Sequence, residues 1–546
     1  PAAPVHDNGR LSQHGRSITS EEDIVVHHSS AELTSADLII EALERFPDRE
    51  AFVLGDRRIT YADAAAAISR IVTLLAARGI GPGRAVAALS PNTPEVWLTQ
   101  AAAYLLGGTY TGLHPLGSLS DHAYVCDDAG ITVLIVHPKF AETGAQLAAR
   151  CAGIEHLLTL GPAEAGEDLL ALCEQIPARR LERGPAGDED TAWLQYTGGT
   201  TGRPKGVMVS HRALVQQTHT LTASWGLPES PRFLLSSPIT HAGSLPVLPT
   251  LCRGGTVVLQ QAFDPDAWLD AAARERINYA FVVPTMLYTL LDHGSPQRHD
   301  LSALETILYG AAPMTPARIA EALEAFGPVL MQGYGQTECL GMCTSLRKDE
   351  HDPVRRPGLL ASCGRAVAGV RAEILSNDGT PVAHGEVGEV CLRSRVVMTG
   401  YRNQPELTAA ALEGGWLHTG DLAVRDEDGF FHLVDRKKDV IVSGAFNVYP
   451  REIEDVIATC AGVSTVAVIG IPDDKWGEAV TALITVRPGE QVNPDEIEKT
   501  VREQKGPHQT PKTIHVVQEL PKTPAGKVDK KALRRQYWPD HQRQIN

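Results

Sequence analysis

The stretch Tyr196-Thr-Gly-Gly-Thr-Thr-Gly-Arg-Pro-Lys-Gly206 decides how the rest of this 546-residue chain is interpreted. Glycines and threonines in one turn let backbone N–H groups and hydroxyls converge on an anion, and Arg203 and Lys205 add positive charge. The pattern therefore predicts a loop that holds phosphate. It differs from a Walker P-loop, which needs Gly-Lys-Ser/Thr at the start of a helix, because Lys205 follows a proline and precedes Gly206.

The composition is that of an ordinary globular chain with an acidic balance. Hydrophobic residues make up 43% and charged residues 21%, enough for a sizeable core, and the length allows about three or four folding units. There are 50 Lys and Arg against 66 Asp and Glu, a net charge of −16. That balance argues against a broad nucleic-acid surface or adhesion to an anionic membrane. The 5% of aromatic residues also disfavours an RNA-stacking protein.

Three further features favour a cytoplasmic enzyme. The nine cysteines form no C-x-x-C pair, so we expect reduced thiols rather than a zinc cage or a redox motif. Residues 1–30 form a polar lead without the apolar stretch of a secretory signal. No run reaches the roughly 18 apolar residues that a membrane span needs, so no integral membrane segment is expected. The oligomeric state is left open, with a homodimer as one alternative.

Apolar runs alternate with amphipathic segments from residue 59 to about residue 365. Residues 59–79, opened by Thr60, have Ala and Leu spaced for one buried face and predict a helix. Further helices are predicted over residues 95–106, 265–276 and 316–326. Buried strands are predicted over residues 84–89, 131–136, 233–235, 256–259, 279–283, 306–308 and 329–332. This alternation predicts α/β layers with largely buried sheets.

The pattern changes after about residue 365. Residues 366–436 contain short strands separated by Gly- and Asp-rich turns, as in an antiparallel sheet or a small barrel. The charge cluster Arg436-Lys-Lys-Asp439 follows, and beyond it strands and helices form a self-contained α+β unit. We place a domain boundary at this cluster, between a large region over 31–436 and a small unit over 437–546. The predicted fold class is α/β, with layered subdomains, a barrel-like part and a small α+β C-terminal domain.

Six more motifs follow the first in order along the chain. They are Gly310-Ala-Ala-Pro313, Gln332-Gly-Tyr-Gly-Gln-Thr-Glu338, Gly415-Trp-Leu-His-Thr-Gly-Asp421, Asp435-Arg-Lys-Lys-Asp-Val-Ile-Val-Ser-Gly444, Asn447-Val-Tyr-Pro-Arg-Glu-Ile-Glu454 and Pro521-Lys-Thr-Pro-Ala-Gly-Lys527. In residues, order and spacing the chain resembles the adenylate-forming superfamily, and within it the acyl- and aryl-CoA synthetases. The resemblance spans most of the chain from about residue 190.

The resemblance implies a two-step reaction. A carboxylate attacks the α-phosphorus of ATP to give an acyl-adenylate and pyrophosphate, and the thiol of coenzyme A then displaces AMP. The expected ligands are ATP, Mg²⁺, CoA and a small carboxylic acid, and no nucleic acid. Phosphoryl chemistry of this kind depends mainly on positioning and charge neutralisation.

The resemblance also assigns the residues that would bind ATP. The phosphate-binding loop would cradle the β- and γ-phosphates through Thr197, Gly198, Gly199, Thr200, Thr201, Gly202 and Lys205. Thr337 would contact the α-phosphate, and Glu338 would ligate Mg²⁺, which accepts carboxylate oxygens. Asp421 and Arg436 would hold the ribose. The adenine would be bordered by Gly310, Ala311, Ala312, Pro313 and Tyr334.

Two lysines carry roles that come wholly from the resemblance. Lys527 would enter the site and steady the transferring α-phosphate and carboxylate as a point charge. Lys438 matches the hinge at which the C-terminal unit rotates between the two half-reactions. After rotation, the passage for the pantetheine arm of CoA would be lined by Ser443, Gly444, Ala445 and Phe446.

His241 completes the candidate catalytic residues and bears on the class of acid. Amino-acid-activating members of the superfamily carry an aspartate there to pair with the substrate ammonium, so histidine disfavours an amino acid. We expect the acid between residues 240–245, 308–311 and 333–342, which are mostly small. Such a lining leaves room for a fatty, aromatic, cyclic or branched acid.

Two alternatives to an acid:CoA ligase stay open. One is an adenylating enzyme that loads the thiol of a carrier protein. Such enzymes usually bear an insertion before the hinge, and no extra segment lies between Asp421 and Arg436, which favours CoA. The other is a non-catalytic nucleotide-binding protein. It is disfavoured because Lys205, Glu338, Asp421 and Lys527 are all the expected residue types.

Overall fold

The computed structural model of the protein describes residues 33–197, 204–294, 296–443, 446–473, 476–487, 489–523 and 528–537. The polar lead lies outside the described residues. So do several predicted site residues, namely Gly198, Gly199, Thr200, Thr201, Gly202, Gly444, Ala445 and Lys527.

The strands of the described residues are numbered in chain order. They are β1 (Glu50–Leu54), β2 (Arg57–Thr60), β3 (Ala85–Leu89), β4 (Thr109–Leu113), β5 (Ile131–Val136), β6 (His156–Thr159), β7 (Glu167–Asp168), β8 (Thr191–Thr197), β9 (Lys205–Ser210), β10 (Arg232–Leu235), β11 (Thr256–Leu259), β12 (Tyr279–Val282), β13 (Thr306–Gly310), β14 (Leu330–Tyr334), β15 (Thr344–Leu346), β16 (Arg365–Ala366), β17 (Val370–Leu375), β18 (Gly388–Ser394), β19 (Gly400–Tyr401), β20 (Leu417–Arg425), β21 (Phe431–Arg436), β22 (Ile441–Ser443), β23 (Phe446–Val448), β24 (Val463–Asp473), β25 (Gly477–Val486) and β26 (Thr513–Val516).

The helices are numbered in the same way. They are α1 (Ser35–Arg45), α2 (Tyr61–Ala77), α3 (Pro94–Leu105), α4 (Leu119–Ala129), α5 (Ala141–Arg150), α6 (Leu169–Glu174), α7 (His211–Ser224), α8 (Val247–Cys252), α9 (Pro265–Arg274), α10 (Pro284–Asp292), α11 (Pro316–Phe326), α12 (Pro405–Ala411), α13 (Pro450–Ile457), α14 (Pro494–Lys505) and α15 (Lys530–Tyr537). Within the part of the chain that the structure describes, every helix is too short or too polar to cross a bilayer.

The larger sheet has nine strands in the order β16-β15-β14-β13-β12-β10-β11-β1-β2. Its centre, from β14 to β1, is parallel, and its edge strands pair antiparallel. Strand β1 comes from the start of the chain, yet Phe52 of β1 lies opposite Val257 of β11. The buried strands are continuous apolar runs, as expected for a sheet covered on both faces.

The second large sheet has eight strands in the order β19-β9-β8-β4-β3-β5-β6-β7. It is parallel from β8 to β7 and antiparallel where β9 and β19 extend it. Strands β8 and β9 are the two arms of a hairpin, in which Thr197 lies opposite Lys205. The predicted phosphate-binding loop runs between these two strands in the sequence, and its residues 198–203 lie outside the described residues.

Helix α3 lies against both large sheets. It contacts β1 of the nine-stranded sheet and β4 of the eight-stranded sheet, and all of its residues are buried. Pro94 occupies the first turn, where a missing N–H costs no hydrogen bond. A helix that is buried on every side has no solvent face and belongs to a core. Eight of its residues belong to one apolar core cluster.

Two smaller sheets follow. The part predicted as barrel-like contains an open antiparallel sheet, β17-β18-β20-β21, while β19 leaves it to join the eight-stranded sheet through β9. The last sheet contains β22 to β26, covered by α13, α14 and α15. The predicted α/β fold class is confirmed. The predicted start of α2 is also observed, since the Thr60 side chain accepts the Asp63 N–H at 3.0 Å in a capping box.

Candidate active site

Several of the predicted site residues lie at or beyond the carboxyl ends of strands in the two large sheets. Thr197 ends β8, Gly310 ends β13 and Tyr334 ends β14. His241 lies in the segment that follows β10. The crevice beyond the carboxyl ends of parallel strands is where α/β sheets bind ligands. The strand topology therefore assembles the motifs that are far apart in sequence.

Asn92 joins the two sheets at this edge. It follows β3 of the eight-stranded sheet and is only 4% exposed. Its Nδ2 donates to the carbonyl oxygens of Ser237 at 2.9 Å and Gln260 at 3.0 Å, which follow β10 and β11 of the other sheet. Its Oδ1 accepts the N–H of Ile239 at 2.8 Å. One side chain thus holds the segment that leads to His241.

His241 faces a second histidine. Its Nδ1 lies 2.8 Å from the Thr240 hydroxyl, and its ring meets the ring of His114 edge-on at 5.4 Å. His114 lies one residue beyond β4, and its Nδ1 accepts the N–H of Leu116 at 3.1 Å. Burial lowers the pKa of His114 to about 4, so this ring is neutral at pH 7.

A buried carboxylate, Asp421, holds two neighbours. The Tyr334 hydroxyl donates to Asp421 Oδ2 at 2.8 Å, and Arg436 Nε lies 3.0 Å from Oδ1. Asp421 and Arg436 are directly opposite across the β20–β21 ladder. The carboxylate raises the pKa of Arg436, and burial followed by the same charge raises the pKa of Tyr334. The cluster therefore offers a phenol, a carboxylate and a guanidinium, groups suited to a nucleoside.

A bulge in β20 presents Asp421. Glu389 of β18 pairs with Leu422, but two residues later Cys391 pairs with His418, so β20 is two residues longer between these pairs. The extra length is accommodated at Gly420, whose φ of +71° suits glycine. Glu389 holds this bulge, because its Oε1 accepts the Gly420 N–H at 2.8 Å.

Glu389 also reaches the segment after β21. Its Oε2 lies 3.5 Å from Lys437 Nζ, and the Lys437 N–H donates to the Gly420 carbonyl at 2.8 Å. The side chain of Glu389 is 13% exposed. The bulge that carries Asp421 and the start of the charge cluster are therefore tied together.

Tyr401 connects the phosphate-binding hairpin to Glu338. Its hydroxyl donates to Glu338 Oε1 at 2.8 Å, and Lys205 Nζ lies 5.1 Å from the centre of its ring. Burial, followed by the Glu338 charge, raises the pKa of Tyr401, so it remains a donor. Among the described residues no hydrogen bond or ion pair to Glu338 Oε2 is found. A half-buried carboxylate with one oxygen held by a neutral phenol fits a hard cation such as Mg²⁺.

Glycines let the backbones approach closely around this cluster. A Cβ on Gly310 would overlap the carbonyl oxygen of Gly333, and a Cβ on Gly335 would overlap that of Gly341. Ala311 has a φ of +67°, which is unusual for a residue with a Cβ. Ala312 and Pro313 continue the same turn. Thr337 and Glu338 begin the short helix Thr337–Cys339, directly after this constriction.

The remaining predicted residues lie apart from these clusters. Ser443 ends β22 and is buried, whereas Phe446 begins β23, is 58% exposed and packs against the ring of His508 at 5.4 Å. Among the described residues no hydrogen bond or ion pair joins either to Asp421 or Glu338. Lys438 is exposed and lies in the turn after β21. Among the described residues, the structure thus brings Tyr334 and Arg436 to Asp421 and, through Tyr401, Lys205 near Glu338, whereas Ser443 and Phe446 lie apart from both clusters.

Sequence reasoning missed Asn92, Tyr401, Glu389 and His114. None lies in a motif that predicted chemistry, and each acts through a partner far away in sequence. Asn92 had one weak signal, its place in Ser90-Pro-Asn92 directly after a buried strand. No sequence signal indicated Tyr401, because its hydrogen bond to Glu338 depends on the pairing of β19 with β9.

A surface depression lies at the opposite, amino-terminal ends of strands in the nine-stranded sheet. It has a volume of about 600 Å³ and is lined by Arg232, Asn278 and Glu305, at the amino ends of β10, β12 and β13. Its charged groups pair with one another, as Arg232 Nη2 does with Glu275 Oε2 at 3.0 Å. The depression therefore does not compete with the carboxyl edge as the site.

Comparison with known proteins agrees with this geometry. Residues 39–402 match the AMP-binding enzyme family, and residues 452–527 match the AMP-binding enzyme C-terminal domain. The chain belongs to the AMP-binding enzyme family. The predicted membership of the adenylate-forming superfamily is confirmed.

Three similar proteins illustrate the range of this AMP-binding family. The chain is 42% identical to a medium/long-chain-fatty-acid–CoA ligase, FadD8, of Mycobacterium tuberculosis, over 92% of this chain and 90% of the relative. It is 36% identical to a feruloyl-CoA synthase of an Amycolatopsis species, over 88% and 95%. The structure of the amide bond synthetase McbA from Marinactinospora thermotolerans matches with a TM-score of 0.85 and 35% identity, over 92% of this chain and all of that one.

We predict that Glu389→Ala raises the KM for ATP. The variant loses a charge-assisted hydrogen bond that holds the Asp421 bulge. Such a bond contributes about 1.5–3 kcal/mol, which converts to roughly a tenfold to 150-fold change in binding. Steady-state pyrophosphate release at varied ATP measures the change. Glu389→Gln, which keeps an acceptor for Gly420, should lie closer to the wild type.

The control is Glu373→Ala, on β17 of the same sheet, where Glu373 pairs with Arg425 at 3.0 Å. It should leave the KM for ATP unchanged. Equal effects of Glu389→Ala and Glu373→Ala would contradict the proposed support of the bulge.

We also predict that Gly335→Ala is more damaging than Gly333→Ala. The added methyl group at Gly335 meets the Gly341 backbone, whereas at Gly333 it meets the flexible side chain of Met342. Overpacking of this kind costs about 1–3 kcal/mol, and a backbone cannot rotate away as methionine can. Thermal unfolding should show the larger fall in Tm for Gly335→Ala, and the reverse order would contradict the close approach.

Proposed function

We propose that the chain is an ATP-dependent acid:CoA ligase that forms an acyl-adenylate, releases pyrophosphate and transfers the acyl group to CoA. The observation that carries the proposal is the convergence, at one carboxyl edge, of the phosphate-binding hairpin with the Glu338–Tyr401 and Asp421–Arg436 pairs. Membership of the AMP-binding family and the similarity to CoA ligases for fatty and aromatic acids support it.

We propose that the Asp421 cluster receives the nucleoside of ATP. A ribose has two hydroxyls that can donate to the carboxylate, while Arg436 and Tyr334 keep it in place. The adenine would lie beside Gly310 and Tyr334, where small residues permit close backbone approach. Its border would be completed by Ala311, Ala312 and Pro313. Thr337 would contact the α-phosphate from the start of its short helix.

We propose that the triphosphate lies between Thr197, Lys205 and Glu338, with residues 198–202 of the loop around it. When bound at Glu338, Mg²⁺ would neutralise phosphate charge and help pyrophosphate leave. Tyr401 orients the Glu338 carboxylate through its hydroxyl and supports Lys205 through its ring. Lys527 would bring the cation that stabilises the charge developing between carboxylate and α-phosphate.

We propose that His241 borders the acid. Histidine instead of aspartate at this position would leave a substrate ammonium without a counter-charge, so the proposed substrate is a carboxylic acid without an ammonium group. The segment before His241 is held by Asn92, which fixes where the acid can lie. The fatty, aromatic and cyclic classes remain candidates.

We propose that residues 437–546 form a cap that rotates about Lys438 after adenylation. Rotation would exchange Lys527 for Ser443, Gly444, Ala445 and Phe446 at the site, so that the pantetheine arm of CoA can enter. The contacts at the proposed boundary are polar, which suits repeated breaking. Asp435 Oδ2 accepts the Arg451 N–H at 2.9 Å, and Glu389 Oε2 lies 3.5 Å from Lys437 Nζ. A cytoplasmic location completes the proposal, and the oligomeric state stays open.

The first test identifies the products. Incubation with ATP, Mg²⁺, CoA and a panel of fatty, aromatic and cyclic acids should give AMP and pyrophosphate in equal amounts, together with an acyl-CoA. Chromatography of nucleotides and thioesters measures them. ADP as the sole nucleotide product would contradict the proposal, and no turnover with any acid would favour a non-catalytic nucleotide-binding protein.

The acceptor is tested in the same assay. A second candidate acceptor is an amine, favoured by the likeness to an amide bond synthetase, and a third is the thiol of a holo-carrier protein. CoA, an amine and a carrier protein are offered singly to enzyme that has formed acyl-AMP. Faster consumption by an amine than by CoA would assign the chain to amide synthesis.

The role of Lys527 is tested by separating the half-reactions. Lys527→Ala should slow adenylation by about a hundredfold or more, because a charge placed for the transition state is lost. Transfer from a supplied acyl-adenylate to CoA should change far less. Lys522→Ala, in the same Pro/Gly-rich segment, is the matched control and should alter neither step. Equal loss of both half-reactions in Lys527→Ala would contradict the assignment.

A further inference from the structure

Three side chains of different chemistry converge on one face of the four-stranded sheet. They are Glu389 and Cys391 of β18 and His418 of β20, and their ligand atoms all lie within 4.8 Å of one another. Glu389 and Cys391 are two residues apart on one strand, so their side chains point to the same face. His418 is directly opposite Cys391 in the ladder, and side chains of such a cross-strand pair meet.

The Nδ1 atom of His418 is the centre of this group. It lies 3.4 Å from Cys391 Sγ and 3.3 Å from Glu389 Oε2. In a tetrahedral zinc site the nitrogen, oxygen and sulfur ligands lie about 2.0–2.3 Å from the ion, which places them roughly 3.3–3.6 Å from one another. The two observed spacings are therefore already close to those of a zinc coordination sphere.

Hydrogen bonding satisfies only part of this group. Nδ1 of an imidazole carries either one proton or one lone pair. It can therefore make one well-directed hydrogen bond at a time, either with the thiol of Cys391 or with the carboxylate of Glu389. A divalent cation would accept lone pairs from all three atoms at once.

The surroundings of the carboxylate suit a metal ligand. The second oxygen, Glu389 Oε1, accepts the Gly420 N–H at 2.8 Å, as outer hydrogen bonds do when they orient ligating carboxylates. Cys391 is fully buried, whereas the side chains of Glu389 and His418 are 13% and 24% exposed. The group is thus sealed on its thiol side and reaches the surface on its imidazole and carboxylate side.

Lys437 is the group that a metal ion would replace. Its Nζ lies 3.5 Å from Glu389 Oε2, and its side chain is 53% exposed. A lysine side chain is long and flexible, so this ammonium can turn into solvent when a divalent cation takes its place beside the carboxylate. Glu389 would keep its contact with Gly420 through the other oxygen.

The ligand types select the metal. Sulfur and imidazole ligands favour Zn²⁺, whereas Mg²⁺ and Ca²⁺ take oxygen ligands. We propose that Glu389, Cys391 and His418 bind Zn²⁺ through three protein ligands, with the fourth position left to water. Cys391 binds as the thiolate, and its proton passes to solvent. This is not the cysteine-rich cage that the spacing of the cysteines argued against, because only one thiol takes part.

The bound ion would cross-link β18 and β20 beside the bulge that carries Asp421. Because Glu389 and His418 come from the two strands that flank this bulge, zinc adds a restraint that the metal-free sheet lacks. The proposal concerns a different ion from the Mg²⁺ proposed at Glu338, and it does not depend on the proposed function.

The test uses the full-length protein, with Co²⁺ as a spectroscopic substitute for Zn²⁺. Protein stripped with EDTA and then freed of EDTA is titrated with Co²⁺ in excess Mg²⁺, which occupies sites made of oxygen ligands alone. A thiolate bound to Co²⁺ gives a charge-transfer band in the near ultraviolet, and tetrahedral Co²⁺ gives intense visible bands. Zn²⁺ is then added to displace Co²⁺, and Tm is measured with and without Zn²⁺.

We expect one Co²⁺ per chain with both kinds of band, loss of the bands when Zn²⁺ is added, and a higher Tm with Zn²⁺, because the ion binds the folded state. Cys391→Ser should abolish the charge-transfer band. His418→Gln and Glu389→Gln should weaken Zn²⁺ binding. Loss of an outer partner already costs a metal site about 10–100-fold in affinity, so loss of a ligand should cost at least as much.

Two variants are matched controls. Cys460→Ser removes another partly exposed thiol. His432→Gln removes a histidine of the same sheet whose Nε2 lies 3.1 Å from Asp426 Oδ2. Both should keep the bands and the affinity of the wild type. The Tm of each variant without metal shows whether it is folded, and Cys391→Ser and His418→Gln alter different strands, so either one tests the site.

Three outcomes overturn the inference. They are a Co²⁺ spectrum without a thiolate band, a Zn²⁺ affinity that is unchanged in both Cys391→Ser and His418→Gln, and a loss of binding in Cys460→Ser equal to that in Cys391→Ser. None of them bears on adenylation. Failure to form AMP with every acid would count against the proposed function and leave the zinc site intact.

Discussion

The amide of Asn92 is the interaction on which the site depends. It makes three hydrogen bonds to backbone groups that follow β10 and β11, although Asn92 itself follows β3 of the other sheet. An amide offers donors and an acceptor in one plane, so a single side chain can satisfy backbone groups from two segments at once. The segment that leads to His241 takes its position from two sheets that are joined in this way.

Two polar clusters lie in the site besides Asn92, one around Glu338 and one around Asp421. Tyr401 connects Glu338 to Lys205, so an anionic and a cationic group are oriented by one ring. Asp421 is held by Tyr334 and Arg436 and presented by a bulge that Glu389 supports. The net charge of −16 is therefore a poor guide to binding of a polyanion. Whether a polyanion binds depends on where a few cationic side chains and N–H groups are placed.

The sequence was sufficient for the fold class and for the motifs, but not for what holds the motifs in place. The α/β alternation and the Thr60 start of α2 were predictable because they depend on local periodicity and capping. Strands β8 and β9 were not predicted, because the Gly- and Thr-rich stretch between them interrupts their apolar pattern. The roles of Asn92, Tyr401 and Glu389 were not predictable, because each depends on strand pairing between residues far apart in the chain.

The place of β1 has a consequence for how the molecule is made. Phe52 and Val53 are buried between β2 and a strand that lies about two hundred residues later, opposite Val257 and Val258. During synthesis, the edge of β1 that pairs with β11 stays unpaired and exposes apolar side chains until β11 has been translated. Contacts of such long sequence separation slow folding and expose sticky intermediates. Strand β1, although synthesised about two hundred residues before β11, is thus among the last elements of its sheet to be completed.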